Sequence, residues 1–281
     1  MHTNYINKKQ SIFAETLFYI GFVLLYTPIV LVIFNAFCGP SSCDKCYKPS
    51  LIWFKALFRN TEILSAIITS LKISTLSATI STLIGFTAAT LSTKKKRHKN
   101  WLDRSFLSPS LIPDITVGIS MLLFFMYTHK YLSWPKQYNI TTIVIGHIMS
   151  TIAYSYINIK TTLNACDTVI EDAAKDLGAG QMQILFKVTL PIIMPSILSC
   201  WVFIFTLSLD DLIITSFLSG PGTNTITTII FSSLRTGIDP VINAFSTLFI
   251  FVISCLMIVQ LLLKNINTKK TDNKSSYANE Q

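Results

Sequence analysis

The sequence predicts an all-α integral membrane protein built on six transmembrane helices, and three observations predict it. Only 13% of the residues are charged, against roughly 25% in a soluble domain. Mean hydropathy is +0.52. Apolar runs of about 20 residues, the length that crosses a hydrocarbon core, recur along the chain. The net charge of +9 comes from basic residues clustered between those runs and at the ends. That distribution belongs to a membrane protein and argues against a nucleic-acid partner.

The six spans are read at about 16–37, 70–91, 105–127, 140–159, 192–218 and 243–263. The first carries no charge, is too long for the apolar part of a signal peptide and has no A-x-A-like site after it. It reads as a retained membrane helix. The second holds Lys72 near its start, a position from which the ammonium snorkels to the interface. Lys and Arg total 15 in the N-terminus, the 92–104 loop, the 160–191 loop and the tail from 264, against 7 in the intervening loops. The positive-inside rule then puts both termini and those two loops in the cytoplasm. The run "KKKRHK" at 94–99 reads as a solvated basic loop anchoring the topology beside membrane lipid, rather than as a nucleic-acid or specific lipid site. The organisation expected is an N-terminal part over 1–62, a permease core over 63–263 with the 160–191 loop inside it, and a polar tail over 264–281.

Of six cysteines, Cys166, Cys200 and Cys255 sit in or near apolar runs and read as small core fillers. Cys38, Cys43 and Cys46 fall in the first outside loop. A disulfide or free thiols fit them better than a zinc site, because one C-x-x-C lacks its second half.

Within the 160–191 loop stands "EDAAKDLGAG". Thr168 and Glu171 have capping-box spacing. Ile170, Ala173, Ala174 and Leu177 recur at i, i+3, i+4, i+7, one face of a short helix. Gly178 suits a left-handed stop. After Gly180 the pattern resumes at Met182, Leu185, Phe186 and Thr189, and Pro191 is expected to interrupt it before the fifth span. A capped helix of this kind either packs on its own protein or offers its small-residue face to another.

The loop resembles the signature of ATP-binding-cassette importer permeases of the binding-protein-dependent type, E-A-A-x3-G-x9-I-x-L-P. It reads here Asp172-Ala173-Ala174, Gly178, Val188-Thr189-Leu190-Pro191, with Asp for Glu and Val for Ile. "SATISTLIG" (77–85), "PDITVGISMLLFFM" (113–126) and "FTLSLDDLIITSFLSGP" (205–221) are similar to the polyamine (spermidine/putrescine) branch of that family. The likeness runs from about residue 63 to 261; the "CGPSSCDKC" loop has no counterpart in it. It implies a type I importer permease fold in a bacterial inner membrane. It also implies a coupling helix formed by Asp172, Ala173, Ala174, Gly178, Leu190 and Pro191, docked into a cytoplasmic ATPase dimer. Further implied partners are a second homologous permease subunit and a periplasmic polyamine-binding protein. ATP and Mg would be used by the ATPase; no cofactor is expected on this chain. Related importers for ferric ion, thiosulfate or a sugar derivative are the alternative.

Asp114, Asp210 and Asp211 fall in apolar spans. A carboxylate at a bilayer centre costs about 2.5–3.5 kcal/mol on insertion scales, so each is expected to face water or a partner. They are the candidates for a cation path, although interfacial solvation, a subunit salt bridge or, for Asp114, a helix cap would also account for them. Trp201, Phe203 and Phe205 are expected to pack or face lipid, and His147 to be hydrogen-bonded inside the bundle. The chain contains no G-x-x-x-x-G-K-[ST], H-E-x-x-H or G-x-S-x-G, so nucleotide hydrolysis by a phosphate loop and these two hydrolase chemistries have no motif here. Adjacent aspartates on one helix also diverge by about 100°, which disfavours the rival reading of an intramembrane aspartyl enzyme.

Overall fold

The computed structural model describes residues 2–39, 49–94, 96–166, 168–237, 239–252 and 254–255. The helices are α1 (His2–Phe37), α2 (Ile52–Arg59), α3 (Thr61–Lys94), α4 (Lys96–Leu107), α5 (Asp114–Leu132), α6 (Ile140–Ala165), α7 (Thr168–Asp176), α8 (Gln181–Ile184), α9 (Leu190–Asp210), α10 (Ile213–Leu218) and α11 (Ile226–Thr236), followed by α12 (Pro240–Val252). Cys38 and Pro49 form an isolated antiparallel bridge; the fold is otherwise helical among the described residues. The chain divides into two compact units, one joining the described residues of Met1–Thr61 and Ser233–Gln281, the other Glu62–Ser232.

In the first unit, the backbone of Ser50 donates to Phe37 O at 2.8 Å, the Trp53 indole donates to Cys38 O, and the Phe37 and Phe54 rings pack at 5.2 Å. These contacts seat α2 on the end of α1. Cys43, Cys46 and the tail from 264 lie outside the described residues.

The second unit holds the core. One apolar cluster joins Ala78, Ala88 and Ala89 of α3 to Tyr156 and Ile159 of α6 and Cys200 and Ile204 of α9. The other joins Ile73, Phe125, Ile143, Val144, Ile214 and Leu218. With lipid as solvent, helices associate through close packing and shared hydrogen bonds. At Gly85 a side chain would collide with Ser155, and the Ser81 and Thr151 hydroxyls meet at 2.9 Å. α6 begins on a reciprocal cap: Asn139 Oδ1 accepts from Thr141 N, and the Asn139 N–H donates to Thr142 Oγ1, each at 2.9 Å.

Among the described residues, five helices are long and apolar enough to cross a membrane: Glu15–Phe37, Thr61–Thr93, Asp114–Leu132, Ile140–Ala165 and Gln181–Asp210. The sixth expected span, 243–263, begins inside α12 and runs beyond the described residues. Expected boundaries move: the second span starts at Thr61 rather than 70, the third ends at Leu132 rather than 127, the fourth ends at Ala165 rather than 159 and the fifth starts at Gln181 rather than 192. The third span starts at Asp114 rather than 105, because Pro109 lies in a 3₁₀ turn, Ser108–Leu111, and Pro113 caps α5; proline restricts the residue before it and cannot donate to a continuing helix. The fifth ends at Asp210 rather than 218, since Asp211 is extended (φ −66°, ψ 122°). Its carboxylate takes the Thr215 N–H at 3.0 Å, a local bond that competes with helix continuation.

Candidate functional site

Two places gather the residues singled out above. The first is the 166–191 segment. α7 has 9 residues, as the periodicity predicts. Gly178 has φ +81°; its N–H donates to Lys175 O at 2.8 Å and the Ala179 N–H to Ala174 O at 3.0 Å. That bond pair is a Schellman stop, with glycine in the left-handed position it needs. Gly180 then opens α8, its N–H donating to Gln183 Oε1 at 3.2 Å.

The Thr168 half of the expected capping box lies outside the described side chains. Thr168 is already helical, and the Glu171 carboxylate is engaged across the loop, accepting from the buried Thr189 hydroxyl at 2.6 Å. This bond ties α7 to the base of α9. Pro191 does not interrupt the helix either. Residues Leu185–Thr189 form a π turn, in which the Leu190 N–H reaches back to Leu185 O. The wide turn carries the helical path into α9, where Pro191 occupies the first turn, a position that tolerates its missing N–H. Nothing in the residue pattern signals this turn.

Ile184 is buried, and Leu185, Val188 and Leu190 are half-buried, but the other large apolar residues of the segment face outward. Leu177 is 89% exposed, and Val169, Ile170, Met182 and Phe186 are exposed too. Asp172 and Ala173 are exposed and Ala174 half-buried. Asp172 pairs with Lys175 at 2.6 Å; this hydrogen bond and the neighbouring acidic charges raise the Lys175 pKa. A stripe packed on its own protein would bury Ile170 and Leu177, so the alternative of simple self-packing fails.

The second place lies where α5, α6, α9 and α10 meet. Asp114 begins α5, where the helix dipole favours a carboxylate. Pro113, not Asp114, is the cap. Asp114 is exposed and lies within electrostatic range of Asp211 and His147. Asp210, the last residue of α9, is exposed, whereas Asp211 turns inward. The break in the helix gives the neighbouring aspartates these different surroundings. His147 is 1% exposed. Its Nδ1 meets Ser208 Oγ at 2.7 Å and its Nε2 meets Thr215 Oγ1 at 2.9 Å, with Asp211 Oδ1 at 3.4 Å from Nε2. His147 is thus hydrogen-bonded inside the bundle, as expected, but to both sides of the α9–α10 break, which sequence separations of 61 and 68 residues conceal. The aromatic residues pack: Trp201 stacks on Phe205 at 5.4 Å and donates to Thr79 at 3.1 Å, and Phe203 meets Tyr154 edge-on.

A third polar cluster escaped the sequence reading. Asp103 of α4 accepts from Ser92 at 3.3 Å and from Tyr156 and Lys160, while Phe106 stacks on Tyr156 at 5.1 Å. One carboxylate holds α3, α4 and α6 together. The i, i+4 spacing of Tyr156 and Lys160 was the available signal.

A polytopic helical bundle carrying an outward-facing capped helix between two spans is the architecture of a transport subunit worked by another protein. The comparisons agree. Residues 81–272 match the family of binding-protein-dependent transport system inner membrane components, and this chain belongs to that family. It is 37% identical over 231 residues to PotI, a putrescine transport system permease protein of Escherichia coli strain K12, covering 82% of each chain. It is 30% identical over 250 residues to PotC, a spermidine/putrescine transport system permease protein of Haemophilus influenzae, covering 89% of this chain and 95% of that one. Among solved structures, a chain of a bacterial ABC transporter for import of the acidic polysaccharide alginate superposes with a TM-score of 0.71 at 19% identity, covering 90% and 94%. A chain of the MetNI methionine ABC transporter gives 0.57 at 15% identity, covering 73% and 94%. The fold is that of type I ABC importer permeases, and the chain is a multi-pass membrane component of such an importer, not an enzyme.

Proposed function

We propose that this chain is a polyamine-translocating permease subunit. With a second homologous permease it forms the pore; a cytoplasmic ATPase dimer drives it, and a periplasmic polyamine-binding protein feeds it. Asp172, Ala173, Ala174 and Gly178 present the docking face, and Leu190 and Pro191 anchor it to α9. The observation that carries the substrate reading is Asp211 in the break between α9 and α10, beside exposed Asp210, with Asp114 at the start of α5 within electrostatic range. Polyamines carry several ammonium groups at pH 7, and carboxylates in a low-dielectric wall attract them more strongly than water-exposed ones do. The names of the relatives PotI and PotC support the same substrate class. ATP and Mg bind the ATPase, and both termini of this chain lie in the cytoplasm of a bacterial cell, as its basic loops favour. The test is uptake of labelled putrescine and spermidine by cells with and without the chain. Uptake that depends on it is the expected result; unchanged polyamine uptake, with loss of another solute, would replace the substrate.

A further inference from the structure

We infer that His147 is a positioning residue: through Nε2 and the Thr215 hydroxyl it fixes the Asp211 carboxylate by one oxygen and leaves the other to the substrate path. This rests on the polyamine reading above. A carboxylate only accepts hydrogen bonds, so the Thr215 hydroxyl beside it donates, and its oxygen takes a hydrogen bond from Nε2 at 2.9 Å; Asp211 Oδ1 stands 3.4 Å from Nε2, outside hydrogen-bond geometry. The Thr215 hydroxyl in turn faces Asp211 Oδ1 at 3.3 Å, and the Thr215 N–H donates to the same oxygen at 3.0 Å. Among the described residues, the side-chain contacts of Asp211 converge on Oδ1, while 14% of the side chain stays exposed.

The ring acts across a helix break. Ser208, on Nδ1, belongs to α9; Thr215, on Nε2, belongs to α10. The Asp211 carbonyl between them accepts from Thr227 at 3.1 Å. Gly146 lets α6 approach this closely, since a side chain there would strike Ile214 and Leu218. The two sides of the ring therefore have separable duties. Nδ1 joins α6 to α9; Nε2 orients the acidic group.

That division gives the test. A glutamine amide can place a donor near the Nε2 position, and an asparagine amide reaches only the Nδ1 position. His147→Gln and His147→Asn are assembled with the ATPase, second permease and binding protein, and putrescine uptake is measured over a concentration range, normalised to assembled complex. We expect His147→Asn to raise KM by about fivefold or more with Vmax within about twofold, and His147→Gln to stay within about twofold of the parent in both, because a displaced carboxylate weakens binding before it slows the cycle. Thr215→Val should follow His147→Asn, and Ser208→Ala should follow the parent. If the His147 variants do not assemble, the hydroxyl pair decides alone. Equal KM across Thr215→Val, Ser208→Ala and the parent overturns the inference, as does a change confined to Vmax. If the parent chain itself carries neither putrescine nor spermidine, the substrate reading has failed and the inference falls with it.

Discussion

Gly178 holds the left-handed corner that ends α7, and the side chain that alanine adds there costs about 1–2 kcal/mol. Gly178→Ala should therefore lower ATP-driven uptake several-fold while membrane insertion, followed by fractionation, stays normal. Leu177 is the sharper probe, because at 89% exposure it contributes little to the fold of this chain. Leu177→Glu should weaken co-purification with the ATPase by about tenfold or more, the equivalent of ~1.4 kcal/mol at a docking hot spot; normal co-purification would remove α7 from the interface. Asp103 predicts a pH effect. Burial opposes its charge, but hydrogen bonds from Lys160 and Tyr156 and the Lys160 charge outweigh it and hold the carboxyl below its ordinary value. A lowered folded-state pKa stabilises above the unfolded value, near 3.9, and that stability is lost as pH falls through the folded value. Asp103→Asn should cost about 1 kcal/mol at pH 7 after solvent screening, or about 2–4 °C in Tm. The gap from the parent, read by thermal unfolding in detergent, should narrow as pH falls below about 4 and close only below the lowered folded-state value.

Element by element, legibility followed the range of the cause. α7 and its glycine stop were readable because periodicity, stop residue and the turn after it lie within about ten consecutive positions. The apolar spans were readable because hydropathy integrates over twenty. The start of α5 differs from the hydropathy reading because Pro109 and Pro113 break the apolar run into a 3₁₀ turn and a new helix start. The end of α9 was not readable, since Asp211 breaks the helix through a bond to Thr215 that is stabilised by His147 from another span. For the same reason Asp210 and Asp211, which read as two positions about 100° apart on one helix, stand instead on either side of a break. Glu171 had a plausible local partner in Thr168 and took a distant one, Thr189. Thr189→Val should loosen α7 against α9 and raise proteolytic cleavage near Gly178 and Gly180, with the spans left protected; an unchanged cleavage rate would make the Glu171 bond dispensable.

For the molecule as a whole, the coupling role proposed for α7 requires that its motion enter the membrane, and the π turn at Leu185–Thr189 lies between it and α9. A π turn accommodates one residue more than the α-helical path requires, and each residue of an α-helix advances the chain by about 100° around the axis. The turn therefore works as an angular buffer: i→i+5 bonding spends one residue more on about the same rotation, so everything before Leu185 keeps its azimuth relative to the membrane face of α9. Removing Val188 should restore regular α-helical bonding and leave ATP-driven uptake within about twofold of the parent; a loss of uptake with the span still inserted would show that the wide turn itself is needed. One extra residue in a wall of apolar sequence is thus absorbed without shifting the register between motor and pore.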